Sequence, residues 1–311
     1  MKRRFRELKD ALDGGVVPAT VTPLTPEYDI AVDDLHRHIG HLASIDGIVG
    51  LMANAHSGES SMTPTAEKVT VVQEHIEAAD GDAHVFSGVS GESTTMAVEE
   101  AVALEEAGAE ALMPVPIAVQ ANGDPQIIWD HYRGIADAVD IPLIAFQFGN
   151  YGNINLPVGT FVELCTWDEV IALKDASWTY PRYEETVRAL DHVRDEFTLL
   201  NGNDTFMYHA YHLGADGALI GYANIVPELH VEKLRAVQSG DLDRARTIRR
   251  RMMALTNFIW KDPVPRYRQR TKAALKMQGF FEHETCRPPQ QPLPASEKDQ
   301  LRDILQDLGE L

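Results

Sequence analysis

Short apolar runs recur along the chain at intervals of roughly 25–35 residues, and between them lie longer stretches whose apolar residues repeat with helical spacing. The runs are VVPATVT (16–22), IDGIVGLMA (45–53), AHVFSGV (83–89), ALMPVP (111–116), PLIAFQF (142–148), EVIALKD (169–175), FTLLNGN (197–203) and GALIGYA (217–223). Such near-continuous apolarity predicts parallel strands buried on both faces. PTAEKVTVVQEHIEAA, TTMAVEEAVALEEAG and DPQIIWDHYRGIADAV predict helices, and Ala107-Gly108 and Asp216-Gly217 are expected to stop helices ahead of the next strand. Strands alternating with helices predict an α/β chain of parallel units. The first strand–helix turn, PATVTPLTPEYD, has no G-x-G-x-x-G, which argues against an open dinucleotide-binding sheet and for a closed (β/α)8 TIM barrel.

Beyond residue 224 the pattern becomes helical. PELHVEKLRAVQSGDLDRARTIRRRMMALTNFIW predicts two helices broken at Ser239-Gly240-Asp241, and RPPQQPLPAS precedes a last helix, EKDQLRDILQDLG. The expected organisation is a barrel with a short leading helix over residues 1–235 and a helical extension packed on it over residues 236–311.

Composition narrows the function classes. The net charge of −19 disfavours nucleic acid and anionic membranes as partners. No apolar stretch approaches the ~20 residues of a membrane span, and the basic start MKRRFRELKDALDGG lacks the apolar core of a signal peptide. With Cys165 and Cys286 as the only cysteines, a reducing, cytoplasmic setting without disulfides is expected. Three candidate features carry little chemistry: His36, His38 and His41 share a helix surface, His209 and His212 lie one turn apart, and Arg249–Arg251 form a charge run. No metal is expected.

Lysine is scarce, with nine against nineteen arginines. Most of the nine, Lys68 and Lys233 among them, fall in polar or helical surroundings, but Lys174 closes the apolar strand EVIALKD and is followed at once by Asp175. Lysine is rarely buried without a partner. Either the strand surfaces here, or the amine sits at the C-terminal mouth of a barrel, where this fold carries its active sites. There, apolar walls would favour the uncharged, nucleophilic form.

Several motifs, in order, resemble the dihydrodipicolinate synthase / N-acetylneuraminate lyase superfamily of class I, Schiff-base aldolases and dehydratases. They are PATVTPL (18–24), HSGES (56–60), GVSGESTTMAVEEAVALEEAGAEALMPVP (88–116), ALKDAS (172–177), LLNGND (199–204), GALIGYANIVPE (217–228) and the C-terminal VPRYRQRTKAALKMQGF. The resemblance covers essentially the whole chain. It implies that Lys174 condenses with the carbonyl of pyruvate or another 2-keto acid and needs no added cofactor. It also implies that Ser57 and Gly58 hold the keto-acid carboxylate, with Glu59 a structural acceptor beneath the loop, and that the chain forms a homotetramer or homodimer.

The sequence also departs from that superfamily. Phe146 stands where the relay tyrosine is usual, PVPIAVQ (114–120) replaces a tyrosine pair, and Tyr151 falls near the position of an arginine that grips a second carboxylate in the synthase branch. Condensation with aspartate semialdehyde is therefore not expected. Two readings of His56, which replaces the relay's first threonine, stand open: a proton shuttle, or a side chain bonded across its loop. Phe146 and Leu219 are expected to wall the pocket, Tyr151 and Tyr222 to supply phenols, and Gln147, Asn150 and Asn203 to bond substrate hydroxyls. The expected function is a Schiff-base aldolase or dehydratase acting on a pyruvate-derived or 2-keto-3-deoxy acid; the alternative is a keto-acid binder that has lost turnover.

Overall fold

The structure, a computed structural model, describes residues 1–115, 124–149 and 156–311. Eight strands form one parallel sheet: β1 (Val16–Pro18), β2 (Gly50–Ala53), β3 (His84–Val89), β4 (Ala111–Pro114), β5 (Leu143–Phe148), β6 (Val170–Ala176), β7 (Thr198–Asn201) and β8 (Gly217–Ile220). Their order is β1-β8-β7-β6-β5-β4-β3-β2, and bridges from Val16 to Ile48 and from Ala19 to Met52 join β1 to β2, completing a TIM barrel. Each expected run contains a strand. The first and last are shorter than the apolar runs suggest, because beyond Pro18 and Ile220 the backbone leaves the ladder to shape the mouth.

The helices of the barrel are α1 (Arg3–Leu12), α2 (Val32–Ala43), α3 (Thr65–Ala79), α4 (Thr94–Glu106), α5 (Pro125–Ala136), α6 (Val158–Leu164), α7 (Tyr180–Leu190) and α8 (Met207–His212). Gly108, at φ +102°, ends α4 as expected. At the other expected stop the signal is Gly214 (φ +97°), three residues before the strand. Gly217 instead opens β8, where a Cβ would sit 2.7 Å from the Gly15 carbonyl oxygen.

The sheet separates two apolar layers. Val17, Met52, Phe86, Met113, Ile144, Leu200 and Leu219 fill the interior, and Phe5, Leu8 and Leu12 of α1 pack into the same cluster. Leu51, Leu112, Ala145, Leu173 and Leu199 face outward onto the helices. Side chains along β6 should alternate between these layers. They do not: Val170 and Leu173 belong to the outer layer, while Ile171 and Ala172 both belong to the inner one. The ladder to β5 shows why. Leu143 pairs with Val170 but Ile144 pairs with Ala172, so Ile171 is an extra residue, a β-bulge. The bulge inverts the parity of everything after it and turns Lys174 toward the barrel interior.

The helix after β8, α9 (Pro227–Gln238), packs against α8 and β1 and belongs to the barrel; the extension comprises α10 (Leu242–Ile259), α11 (Tyr267–Met277) and α12 (Ala295–Leu308). The break expected at Ser239-Gly240-Asp241 is present: Gly240 has φ +79°, and the Asp241 carboxylate accepts the Arg244 N–H at 3.0 Å. A buried ion pair ties this extension to the barrel. Glu59, held at φ 62° after β2, accepts from Lys272 Nζ at 2.5 Å, from the Arg287 N–H at 2.8 Å and from Gln290 at 3.0 Å. Glu59 is thus the structural acceptor expected. Removing one member of a buried pair strands the other charge. Lys272→Met is expected to lower the urea-unfolding free energy by about 3 kcal/mol or more, and the double variant Glu59→Gln/Lys272→Met to recover part of the loss. Equal losses in single and double variants would show that the pair does not hold the extension.

Candidate active site

Lys174 is nearly fully buried, 6% exposed, at the C-terminal end of β6. Its Nζ lies 4.5 Å from the centroid of the Phe146 ring on the adjacent strand. On the other side Gly202 makes room for it: a Cβ there would stand 3.0 Å from Lys174 Cε and 2.9 Å from the Asp175 carbonyl oxygen. Burial holds the amine well below the ordinary lysine range, at about 8, against the pull of Asp204, which favours the charged form. Asp175 is no partner to it. One residue on, it faces the outer layer, where its carboxylate accepts the Ser177 N–H at 2.8 Å and the Asn203 amide at 3.4 Å.

Asp204, just past β7, is buried and accepts the Tyr222 N–H at 2.9 Å. Burial pushes its carboxyl up to about 6, while that hydrogen bond and the amines of Lys174 and Lys233 draw it down. Lys174 and Asp204 interact strongly enough that their ionisations belong to the pair. Both line a cavity of about 490 Å³, counted to its open mouth. Its other walls are His56 and Ser57 after β2, Phe146 and Phe148 on β5, Trp178 after β6, and Trp260, Val264 and Tyr267 from the extension. The aromatic wall is continuous: Trp178 meets Trp260 edge-on at 4.9 Å, and Trp260 stacks on Tyr267 at 4.7 Å.

The loop bearing His56 is fixed from below. Asn54, in left-handed conformation at φ 51°, donates its amide to the Lys68 carbonyl and Ser87 Oγ at 3.0 and 2.9 Å, and Gly88 lets its backbone approach where a Cβ would be 2.2 Å away. From above, Arg268 on α11 donates Nε to the His56 carbonyl at 2.7 Å and Nη2 to His56 Nδ1 at 3.0 Å. A guanidinium has no acceptor, so Nδ1 must accept and the ring hydrogen is on Nε2. Burial, then the Arg268 and Lys174 cations, press the imidazole down to about 3. His56 is therefore a fixed neutral donor. Its ring is bonded to the Arg268 guanidinium of α11, where one expected reading had it bonded to backbone across its own loop, and a neutral ring with Nδ1 so occupied is poorly suited to the other, a proton shuttle.

The remaining expected residues divide. Ser57 lines the cavity, its hydroxyl donating to the Ala19 carbonyl at 2.7 Å, and Phe146 walls it. Gly58 lies off the cavity and closes a turn onto the Ala55 carbonyl at 3.0 Å. Leu219 is packed in the barrel interior, and Gly221 takes its place at the mouth. Tyr222 is not a site phenol: it is fully buried, and its hydroxyl donates to the Met252 carbonyl at 3.3 Å. Nor does Asn203 reach substrate, because its side chain holds the Trp178 N–H and the Asp175 carbonyl, and Gln147, which donates to Thr186 Oγ1, does not line the cavity. Asn150 and Tyr151 lie outside the described residues.

Other groups were missed from sequence. Lys68 and Lys233 are buried, the first paired with Glu100 at 2.9 Å, the second against the sulfurs of Met207 and Met252 at 3.6 and 3.7 Å. The apolar residues around Lys233 in PELHVEKLRAV carried that signal. Asp204 stands two residues past a strand glycine in LLNGND, a polar cluster at a strand's C-terminal end, and that position was readable. Trp178, Trp260, Tyr267 and Arg268 gave no local signal. Away from the mouth, His36 pairs with Glu74 at 2.6 Å, with Glu77 nearby, on the outer surface.

Comparison with known proteins shows the family. The model of the dihydrodipicolinate synthetase family matches residues 13–308. The chain belongs to that family. Among curated relatives, the 4-hydroxy-tetrahydrodipicolinate synthase of Natronomonas pharaonis is 31% identical over 94% of this chain and 97% of its own. The enzyme of the same name from Chlorobium chlorochromatii is 32% identical over 96% and 98%. A chloride-inhibited dihydrodipicolinate synthase from Acinetobacter baumannii, solved in complex with pyruvate, superposes with a TM-score of 0.85 over 96% of this chain and 100% of that one, at 26% identity. The protein is accordingly an enzyme, a lyase of the class I aldolase type. No described helix is long and apolar enough to cross a membrane.

Two measurements test the electrostatics. Acylation of Lys174 by a small amine-directed reagent, followed by peptide mass, is expected to reach half its plateau rate near pH 8, and Asp204→Asn to move that midpoint down. A midpoint above ~10, the range of an ordinary lysine, would contradict the desolvated amine. Ring ¹⁵N shifts of His56 are expected to show the Nε2–H form unchanged from pH 8 to about 4, since its own titration lies near 3, and Arg268→Met to raise that titration. A wild-type midpoint near the usual ~6.5 would overturn the assignment.

Proposed function

We propose that this enzyme forms a Schiff base between Lys174 and a pyruvate-derived or other 2-keto acid and makes or breaks a bond at the carbons beyond the keto group. The observation that carries the reading is the burial of Lys174 beside Phe146, which brings the amine down to about 8 and so raises its uncharged fraction near neutrality far above that of an ordinary lysine. Once formed, an iminium would draw electrons from the adjacent carbon, so no further electron sink is needed. Ser57 and the Nε2–H of the locked His56 line the same cavity as Lys174, and to this loop we assign the carboxylate end of the substrate. The described walls are largely apolar, with Phe146, Phe148, Trp178, Trp260 and Tyr267 among them, which favours a substrate tail with an apolar face over a fully hydroxylated chain.

A second reading is synthesis of 4-hydroxy-tetrahydrodipicolinate, favoured by the 29–32% identity of relatives bearing that name. It uses the same imine, but Phe146 offers no phenol for proton transfer. Nothing in the comparisons favours a binder without turnover. Within the same reading we place the enzyme in the cytoplasm as a homo-oligomer.

Incubation with pyruvate and borohydride, followed by intact mass and peptide mapping, is expected to give one reduced pyruvyl adduct, on Lys174, and none in Lys174→Ala. No adduct on the wild type would end the Schiff-base reading. Turnover of a keto-acid panel with and without a second aldehyde then separates cleavage or dehydration from synthesis.

A further inference from the structure

Chemistry through an imine needs a group that takes a proton from substrate carbon or oxygen and returns it. The residue at the usual phenol position is Phe146, which cannot do this. Among the described cavity residues, the side chains with protons to exchange near neutrality reduce to a few. His56 is held with Nδ1 occupied by Arg268 and its hydrogen on Nε2. Ser57 commits its hydroxyl hydrogen to the Ala19 carbonyl. Asp204 and the phenol of Tyr267 remain.

Asp204 has the better surroundings. Its backbone follows Gly202, the residue against which the Lys174 side chain lies, and its carboxylate is pinned by the Tyr222 N–H. Lys233 of α9, buried and not among the residues lining the cavity, interacts with the Asp204 carboxylate through its charge, and its Nζ rests against two methionine sulfurs. Thioethers are weak acceptors and do little to offset the desolvation of an ammonium group. A buried amine in such a setting stabilises the fold poorly but exerts a strong field on a carboxylate facing it.

We propose that Asp204 carries the reaction's proton in place of a phenol, and that Lys233 is the positioning residue that keeps its carboxylate ionised. The proposal rests on the reading of Lys174 as the imine-forming amine. Condensation of the uncharged amine with the C2 ketone releases water and gives an imine, which takes up one proton from solvent to become the iminium. The Asp204 carboxylate takes a proton from C3, the C–H electron pair becomes the C2–C3 double bond, and the iminium π pair moves to nitrogen. The reverse step returns the proton to C3. In cleavage of a longer acid, the carboxylate takes the C4 hydroxyl proton, the O–H pair forms the new carbonyl, and the C3–C4 pair becomes the enamine double bond.

The groups that face Asp204 are Lys174 from β6, Tyr211 from α8, Tyr222 after β8 and Lys233 from α9. Arg249 of α10 and His230 of α9 face Lys233 in turn. Burial draws Lys233 down to about 7, so its charge fades as pH rises through the neutral range.

Exchange of the pyruvate methyl hydrogens in D2O, followed by proton NMR, reads this step without knowledge of the natural substrate. Wild type is expected to exchange them. Asp204→Asn, which keeps an acceptor for the Tyr222 N–H, is expected to slow exchange by ~100-fold or more while borohydride still traps pyruvate on Lys174. Lys233→Met, isosteric with its sulfur-rich surroundings, is expected to move the rise of the exchange rate with pH upward by about one unit, as loss of a facing cation raises a carboxyl pKa. A packing role alone would leave that profile in place. Exchange in Asp204→Asn within a few-fold of wild type, with trapping intact, overturns the proposal alone. So does loss of exchange in Tyr267→Phe with Asp204→Asn unaffected. Absence of any trapped pyruvate on wild-type Lys174 removes the imine reading, and this proposal with it.

Discussion

The site depends on one extra residue. Without the bulge at Ile171, β6 would continue its alternation, Leu173 would enter the barrel and Lys174 would face the helices. Asp175 would then point inward, and the mouth would hold a second carboxylate beside Asp204 in place of an amine. A bulge costs a ladder hydrogen bond and local regularity. Here it lets a strand that is apolar on both faces deliver a single cation to the interior after three apolar turns of the pleat. The rest of the mouth is arranged around that cation: Gly202 clears its path, Phe146 covers it, and Asp204 sets its field.

Much of the fold was legible because parallel barrel strands are buried on both sides and so read as continuous apolar runs. That same continuity hid the bulge. In Val170–Leu173 every residue is apolar, so no polar position marks the change of face. Lys174 stood out for the opposite reason, as a charge that an apolar strand does not ordinarily contain. The outer residues Asn203 and Gln147 were misread because a polar side chain at a strand end can turn either into the mouth or back onto backbone, and only the fold decides. Lys233 was misread because its helix carries charges on neighbouring positions, Glu232 and Arg235, which mask its buried face.

Two kinds of buried lysine coexist in the chain. Lys68 and Lys272 are matched at close range by Glu100 and Glu59 and serve as ties between elements. Lys174 and Lys233 are instead set among aromatic rings and thioethers, with Asp204 as the anion they share. The first kind holds parts together. The second gives up part of its charge, a state that stability alone would not select.

The contact from Arg268 to His56 joins the helical extension to a loop of the barrel on the cavity wall, and Trp260 and Tyr267 come from the same extension. The barrel therefore supplies the reactive groups while a separate stretch of sequence supplies much of the vessel around them. Such a division makes the two independently variable. Replacements at Trp260, Val264 and Tyr267 can reshape what is admitted without touching the strand that carries the amine. In evolutionary terms, selectivity in this protein has its own address in the chain.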